Sequence, residues 1–378
     1  MRPLWLALMA LMLGACSASG PIHEPTALEP MSGATGVKSL WSVSTPASDK
    51  DEIYADLRPV LVDEVIYTVA AEGVVQAHRL EDGRRLWKVE LDSVISAGLG
   101  QGADLLLLGT AKGEVLALDR KDGALRWRSR VSSEVLAPPV AANTLVIVRS
   151  GDGVTQALNL ATGEPVWRYS SPVPALSLRG AAAPVISDDL VLLGLANGHL
   201  VALSLFDGVS QWEATVVTPQ GRTDLERMVD VDAAPVVVGD VIYVTAHQGR
   251  VLALSKLTGT TLWSRDLGGS TGLAVTGDSL YLVDDADQVW ALDRSSGATL
   301  WQSEKLKYRR LSAPVAYDGA VVVGDFEGYL HWLSQGEGRI FARYQLDEDG
   351  IRVAPLVRKG ILYSRNRSGR LEALRLVK

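Results

Sequence analysis

Short apolar runs divided by polar turns fill the chain, and one phrase recurs. Its template is the stretch from Gly113 to Trp127. Val115 to Leu118 is apolar and β-prone, Lys121-Asp122-Gly123 is turn chemistry, and Leu125 to Trp127 opens a second strand. The same order of glycine, alanine, glycine and tryptophan returns at Gly73, Ala77, Gly83 and Trp87. It returns again at Gly153, Ala157, Gly163 and Trp167, at Gly198, Ala202, Gly208 and Trp212, and at Gly249, Ala253, Gly259 and Trp263. Asp287 replaces the leading glycine ahead of Ala291, Gly297 and Trp301. A period of roughly 40 residues holding four short strands predicts a β-propeller. In the template repeat, strand A is expected near Ile95–Leu99, strand B near Leu105–Gly109, strand C near Glu114–Asp119 and strand D near Leu125–Arg130.

Two markers count the repeats. A proline beside a small residue or arginine opens strand A at Arg58-Pro59, Ala137-Pro138, Ala183-Pro184, Ala234-Pro235, Ala313-Pro314 and Ala354-Pro355. Ala97-Gly98 and Thr271-Gly272 fill the two remaining places, giving eight starts. Proline is tolerated at the first residue of a strand because no ladder donor is lost there. The strand D marker is Trp87, Trp127, Trp167, Trp212, Trp263 and Trp301, with Phe341 in the seventh repeat. The eighth repeat ends after strand C, and an orphan strand carrying Trp41 lies at the other end of the chain. The expected fold is therefore all-β, an eight-bladed propeller of four-stranded antiparallel blades with the last blade closed by the N-terminal strand. Closure removes the open edges that a linear array would leave. Each indole would bury about 150–250 Å², an upper bound of about 4–6 kcal/mol of transfer free energy, which makes these positions blade-docking elements. Trp290 and Trp332 fall on strand C and read as core filling.

Composition fits one closed globular array. At 47% hydrophobic and 21% charged, the 378 residues can bury a core. The net charge of −7 argues against nucleic acid and against adsorption to an anionic bilayer. The N-terminus alters the picture. Met1-Arg2-Pro3 is basic, Leu4 to Leu13 is apolar but too short to span a membrane, and Leu13-Gly14-Ala15-Cys16 resembles a bacterial lipobox. Cys16 is the sole cysteine, so it has no internal disulfide partner. The expected organisation is a lipoprotein signal peptide over 1–15, a lipidated flexible tether over 16–36 and the propeller over 37–378. In lipoproteins of this kind, the Ser17 that follows the cysteine implies the outer membrane, with the propeller facing the periplasm.

Loop lengths point to a site. From each strand D tryptophan to the next strand A marker, the spacing is 10 residues from Trp87 to Ala97 and 10 from Trp127 to Ala137. It grows to 16 from Trp167 to Ala183 and 22 from Trp212 to Ala234, then falls to 12 from Trp301 to Ala313. Two neighbouring connections on one face are swollen, and long loops on a rigid scaffold usually carry function. The first holds Leu176, Leu178 and Arg179, and the second holds Asp230 and Asp232. Apolar residues rimmed by fixed charges suit a protein interface. The 17-residue connection from Trp41 to Arg58 is also long and charged, with no role assigned.

Signals of catalysis are poor. The histidines at 23, 78, 199, 247 and 331 lack metal-ligand spacing. Asp284-Asp285-Ala286-Asp287 reads as a turn, lacking the glycine and terminal glutamate of a calcium loop. No nucleophile elbow or phosphate-cradling loop appears. No cofactor, no metal and no enzymatic activity are expected.

The run Ala-Leu-x-x-x-Thr-Gly-x-x-x-Trp, seen from Ala157 to Trp167 and from Ala253 to Trp263, resembles the tryptophan-docking repeat of quinoprotein propellers over nearly all of 37–378. Quinoprotein enzymes hold PQQ with a vicinal disulfide, which a chain with Cys16 alone lacks. The lipobox, the eight repeats and the stretches 176–180 and 224–232 together resemble the BamB family, lipoprotein subunits of the β-barrel assembly machinery. That resemblance implies a non-enzymatic scaffold whose Leu176, Leu178, Arg179, Asp230 and Asp232 contact the periplasmic POTRA domains of BamA. It also implies support for insertion of outer-membrane proteins, with unfolded precursors and the other Bam lipoproteins as further partners. The competing readings are a PQQ-dependent dehydrogenase and a lipid-anchored propeller binding another envelope partner.

Overall fold

The computed structural model describes residues 23–31, 36–47, 56–174, 182–219, 222–223, 229–247 and 249–377. These contain strands and turns and no helix. The strands form eight antiparallel sheets arranged in chain order, as expected for a propeller, and the strand Val37–Ser44 completes the eighth by pairing with Arg370–Leu376. In the template blade, Ile95–Gly102, Leu105–Thr110, Glu114–Asp119 and Leu125–Arg130 are strands A to D. One departure is a fifth strand in blade two. Asp56–Leu57, at the end of the connection without an assigned role, pairs in parallel with Ala97 and Gly98. Its two residues are too short to carry a periodic signal.

Burial explains the hydrophobic pattern. Strands B and C lie between neighbouring sheets, so Leu106 to Leu108 and Val115 to Leu118 are wholly buried on both faces and read as continuous apolar runs. Strand D is outermost and alternates, with Trp127 turned inward between exposed arginines. The core consists of inter-blade seams. In one of them Val69, Val75 and Ala77 of blade one pack against Leu106, Leu108, Leu116 and Leu118 of blade two.

The recurrent phrase is the clasp of each seam. The indole NH of Trp127 donates to the Leu160 carbonyl at 2.9 Å, next to the strand C–D turn of the following blade. Trp41, Trp87, Trp167, Trp212, Trp263 and Trp301 donate in the same way to Leu80, Arg120, Leu205, Lys256, Arg294 and Gln335. Each indole also lies on that turn's glycine. A Cβ on Gly163 would stand 2.6 Å from the Trp127 ring, and Gly163 has φ +75°. Gly163→Ala is expected to cost about 2–4 kcal/mol, combining left-handed backbone strain with overpacking. Gly239→Ala, at φ +59° with open space around it, should cost only the backbone part, about 1–2 kcal/mol. Equal shifts in urea midpoint for the two variants would count against the clasp.

Phe341 now has a physical reason. The blade that follows it is the eighth, whose strands C and D are the two ends of the chain. No C–D turn exists there, so there is no turn carbonyl to receive an indole NH. Phe341 packs instead beside Val37 and Leu376. Trp332 is fully buried in the seam between blades seven and eight, and Trp290 donates to Asp284 at 2.9 Å.

The tether expectation changes in part. Residues 23–31 lie along blades six and seven. Thr26 donates its NH to Lys307 at 3.0 Å, Arg309 and Arg343 donate to the carbonyls of Thr26 and Glu29, and His23 stacks on Tyr308. Leu28 packs on the core and Glu29 pairs with Lys305, but the segment is short and lacks a regular strand, so it leaves no hydrophobic period to read. Cys16 and the signal segment lie outside the described residues.

Candidate functional site

Strand B–C turns and inter-blade connections meet at one end of every blade. Leu91, Val131, Ser171, Val216 and Leu346 donate their NH groups to Gly73, Gly113, Gly153, Gly198 and Gly328. The two swollen connections therefore open on the same face. Leu176, Leu178 and Arg179 of the first lie outside the described residues, as does 224–228 of the second.

Asp230 and Asp232 are described, and they flank an anchor. Val231 donates its NH to the Leu195 carbonyl at 3.3 Å and seats its side chain over Gly194. A Cβ there would fall 2.4 Å from the Val231 oxygen, so only glycine admits this approach. The Asp230 carbonyl accepts from the NH of His247 at 3.1 Å. Val231 fixes the backbone between the two aspartates. Asp230 is buried, at 1% exposure, and Asp232 is half-buried.

Sequence reasoning missed the cation behind them. Arg149, on strand B of blade three, is buried and donates to the carbonyl of Gly194. Burial pulls its guanidinium below the ordinary arginine range, while Asp232 and Asp230 oppose that shift. A signal was available. The positions equivalent to Arg149 hold Val69, Gly109, Gly194, Thr245, Val283 and Gly324, so among the eight blades only the third and the eighth, at Arg365, place an arginine there. His247 joins from blade five, with Nδ1 3.0 Å from Asp285 Oδ1. The Asp285 bond holds its pKa above the usual histidine value, and Asp232 and Asp230 add to the effect.

Burial raises Asp232 to about 7, helped by the Asp230 charge and opposed by Arg149 and His247. The sign for stability follows. The native carboxyl retains a proton that the unfolded chain has lost, so stability falls as pH rises from about 4 to about 7, and the penalty is complete above that. Asp232→Asn should therefore raise Tm by about 1–3 °C at pH 8 and leave it unchanged near pH 4. A thermal scan at both values checks this, and a loss of Tm at pH 8 would contradict it.

The other candidates for chemistry are structural. His78 bonds to Gly83 and Gln76, His199 faces Glu213 and His331 is buried against Asp325. Asp284 caps its own turn at Ala286 and Gln288, and Asp287, at φ +60° in a glycine position, accepts from Arg310 and Leu311. Among the described residues, no group of acidic, histidine or cysteine side chains is placed to hold a metal.

The ring of clasped blades defines a quinoprotein-type propeller. Residues 71–303 match the family model described as outer membrane protein assembly factor BamB. The BamB of Pseudomonas aeruginosa is 38% identical over 97% of this chain and 97% of its own length. That of Escherichia coli is 32% identical over 88% of this chain and 87% of its own. The crystal structure of BamB from Moraxella catarrhalis superposes with a TM-score of 0.82 at 26% identity, covering 90% of this chain and all of that one. A quinohemoprotein alcohol dehydrogenase from Pseudomonas putida shares the fold alone, at 14% identity and a TM-score of 0.70. The chain belongs to the BamB family of outer membrane protein assembly factors. Membership makes it a non-enzymatic scaffold rather than a dehydrogenase.

Proposed function

We propose that the chain is the scaffold subunit of the outer-membrane β-barrel assembly complex that docks on the periplasmic POTRA domains of BamA. Cys16 carries its lipid anchor, which holds it on the periplasmic face of the outer membrane. The observation that carries the reading is the Asp230–Asp232 connection, fixed by Val231 on Gly194 and backed by buried Arg149. It lies on the same face as the connection bearing Leu176, Leu178 and Arg179. An acidic pair held in place by a rigid seam gains little entropy on release, which favours tight recognition of a basic partner surface. Leu176 and Leu178 supply the apolar centre of such an interface in this reading. Asp232 is the member placed to touch the partner, and Asp230 positions it from beneath.

The rim gives a second, weaker contact with unfolded barrel precursors. Strand D ends each sheet, and Leu86, Leu125, Val166, Leu262 and Leu300 are exposed along these strands. An extended chain can add to such an edge through its backbone.

Calorimetric titration of the full chain with a purified fragment holding the POTRA domains tests the main reading. Saturable one-to-one binding is expected. Absence of heat together with separate elution on gel filtration would refute it.

A further inference from the structure

The docking connection has a counterpart elsewhere on the same face, and its charge is inverted. Between blades four and five, Asp230 accepts from His247, and Val231 donates to Leu195 while resting on Gly194. Between blades seven and eight, Gly350 accepts from Arg367 at 3.1 Å, and Ile351 donates to Asp325 at 2.8 Å while resting on Gly324. The two sets of backbone bonds coincide, so Arg352 occupies the position of Asp232, and Arg367 that of His247. Both arginines are exposed.

A third arginine comes from the neighbouring connection between blades six and seven. Arg310 is exposed and has φ +50°, and Tyr308 two residues before it has φ +60°. Two non-glycine residues in the left-handed region are costly, and such strain concentrates at functional sites. The surrounding structure enforces it. Asp287 accepts the NH groups of Arg310 and Leu311 at 2.8 Å each, Tyr308 donates to Ala286, and Arg309 is buried against Asp325. Burial pulls the Arg352 guanidinium down, and Arg367 and Arg310 are close enough to add to that shift. In a chain of net charge −7, an anion at this end of the two adjacent seams would meet three guanidiniums close to one another.

We infer that Arg310, Arg352 and Arg367 form a second recognition site, which takes a carboxylate-rich segment of a protein partner. Two features select a polypeptide over a phosphate or an anionic bilayer. The guanidiniums come from three separate loops, matching carboxylates spaced along a chain. The same face also carries Asp232 and Asp285, which repel a uniformly anionic surface but suit a partner patterned in both signs. The site stands independently of the POTRA reading, since it names only the chemistry of the segment.

The test is fluorescence anisotropy of a labelled oligo-aspartate peptide titrated with the full chain at low salt. Saturable binding that weakens as salt rises is expected. The double variant Arg310→Glu/Arg352→Glu should weaken it at least about tenfold. Arg310→Gln/Arg352→Gln should give an intermediate loss, with Tm measured on both to exclude misfolding. Asp232→Asn should leave peptide binding unchanged or tighter, while it lowers POTRA binding. The inference is overturned if the peptide fails to bind wild type, or if the charge-reversed chain binds it equally. It is also overturned if only phosphatidylglycerol vesicles or inorganic phosphate, and not the peptide, depend on these arginines.

Discussion

Deletion of Val37–Ser44 is expected to leave a chain that elutes as aggregates and loses its single cooperative unfolding transition. The strand contributes more than its eight residues. It pairs with Arg370–Leu376 along its length, Trp41 donates to Leu80 at 2.8 Å, and its ring lies on Gly83 of blade one. Thr45, just beyond, is held by Gly369 and by buried Arg365. Loss of the Trp41 side chain alone should cost about 3–5 kcal/mol, a large part of the ~5–15 kcal/mol that holds a typical protein folded. Deletion adds a bare sheet edge and an open seam, which template association with other chains. Gel filtration with a circular dichroism melt decides the matter. A monomer with an unaltered Tm would mean that the ring does not need its clasp.

Asp232→Arg should reduce binding to the POTRA domains at least ~30-fold, the effect of about 2 kcal/mol, at the lower end of what removal of one partner from a desolvated charge pair costs. The substitution also sets a second guanidinium close to buried Arg149, so its Tm must be read beside its affinity. Asp232→Asn separates the two effects, because it is expected to bind more weakly while melting no lower. Asp230→Asn should behave in the opposite way. Asp230 is buried between Val229 and Val231, so its replacement should lower Tm first and affinity only as a consequence. If Asp230→Asn weakened binding at full stability while Asp232→Arg bound normally, the roles assigned to the two residues would be reversed.

The blade count was legible because one physical device recurs. Each seam joins a left-handed turn glycine to the indole of the preceding blade, and four residues after that glycine the blade's own indole clasps the next turn, so both leave one-letter marks. The same logic makes Phe341 readable in hindsight, since the chain termini replace the turn it would have met. Asp56–Leu57 left no mark, because a two-residue parallel strand, paired with Ala97 and Gly98 and anchored by the single buried side chain of Leu57, is too short to show a period. The docking of 23–31 was hidden for a related reason, since scattered contacts such as the carbonyls held by Arg309 and Arg343 and the lone apolar contact of Leu28 make no period. At the site, loop length located Asp230 and Asp232 but gave no account of their depth. Depth depends on Gly194 accepting Val231 and on Arg149 reaching across a seam, contacts between repeats that no single repeat displays.

Ring closure also fixes a timetable. The strand made first, Val37–Ser44, has its partner in Arg370–Leu376, which is made last. Blades one to seven can assemble in order as they appear, but blade one must wait with its outer seam uncovered until Arg370–Leu376 is made. A chain that stops short has no way to finish the circle, whatever the quality of its finished blades. Completeness of the ring is thus checked by the architecture itself, at a single joint.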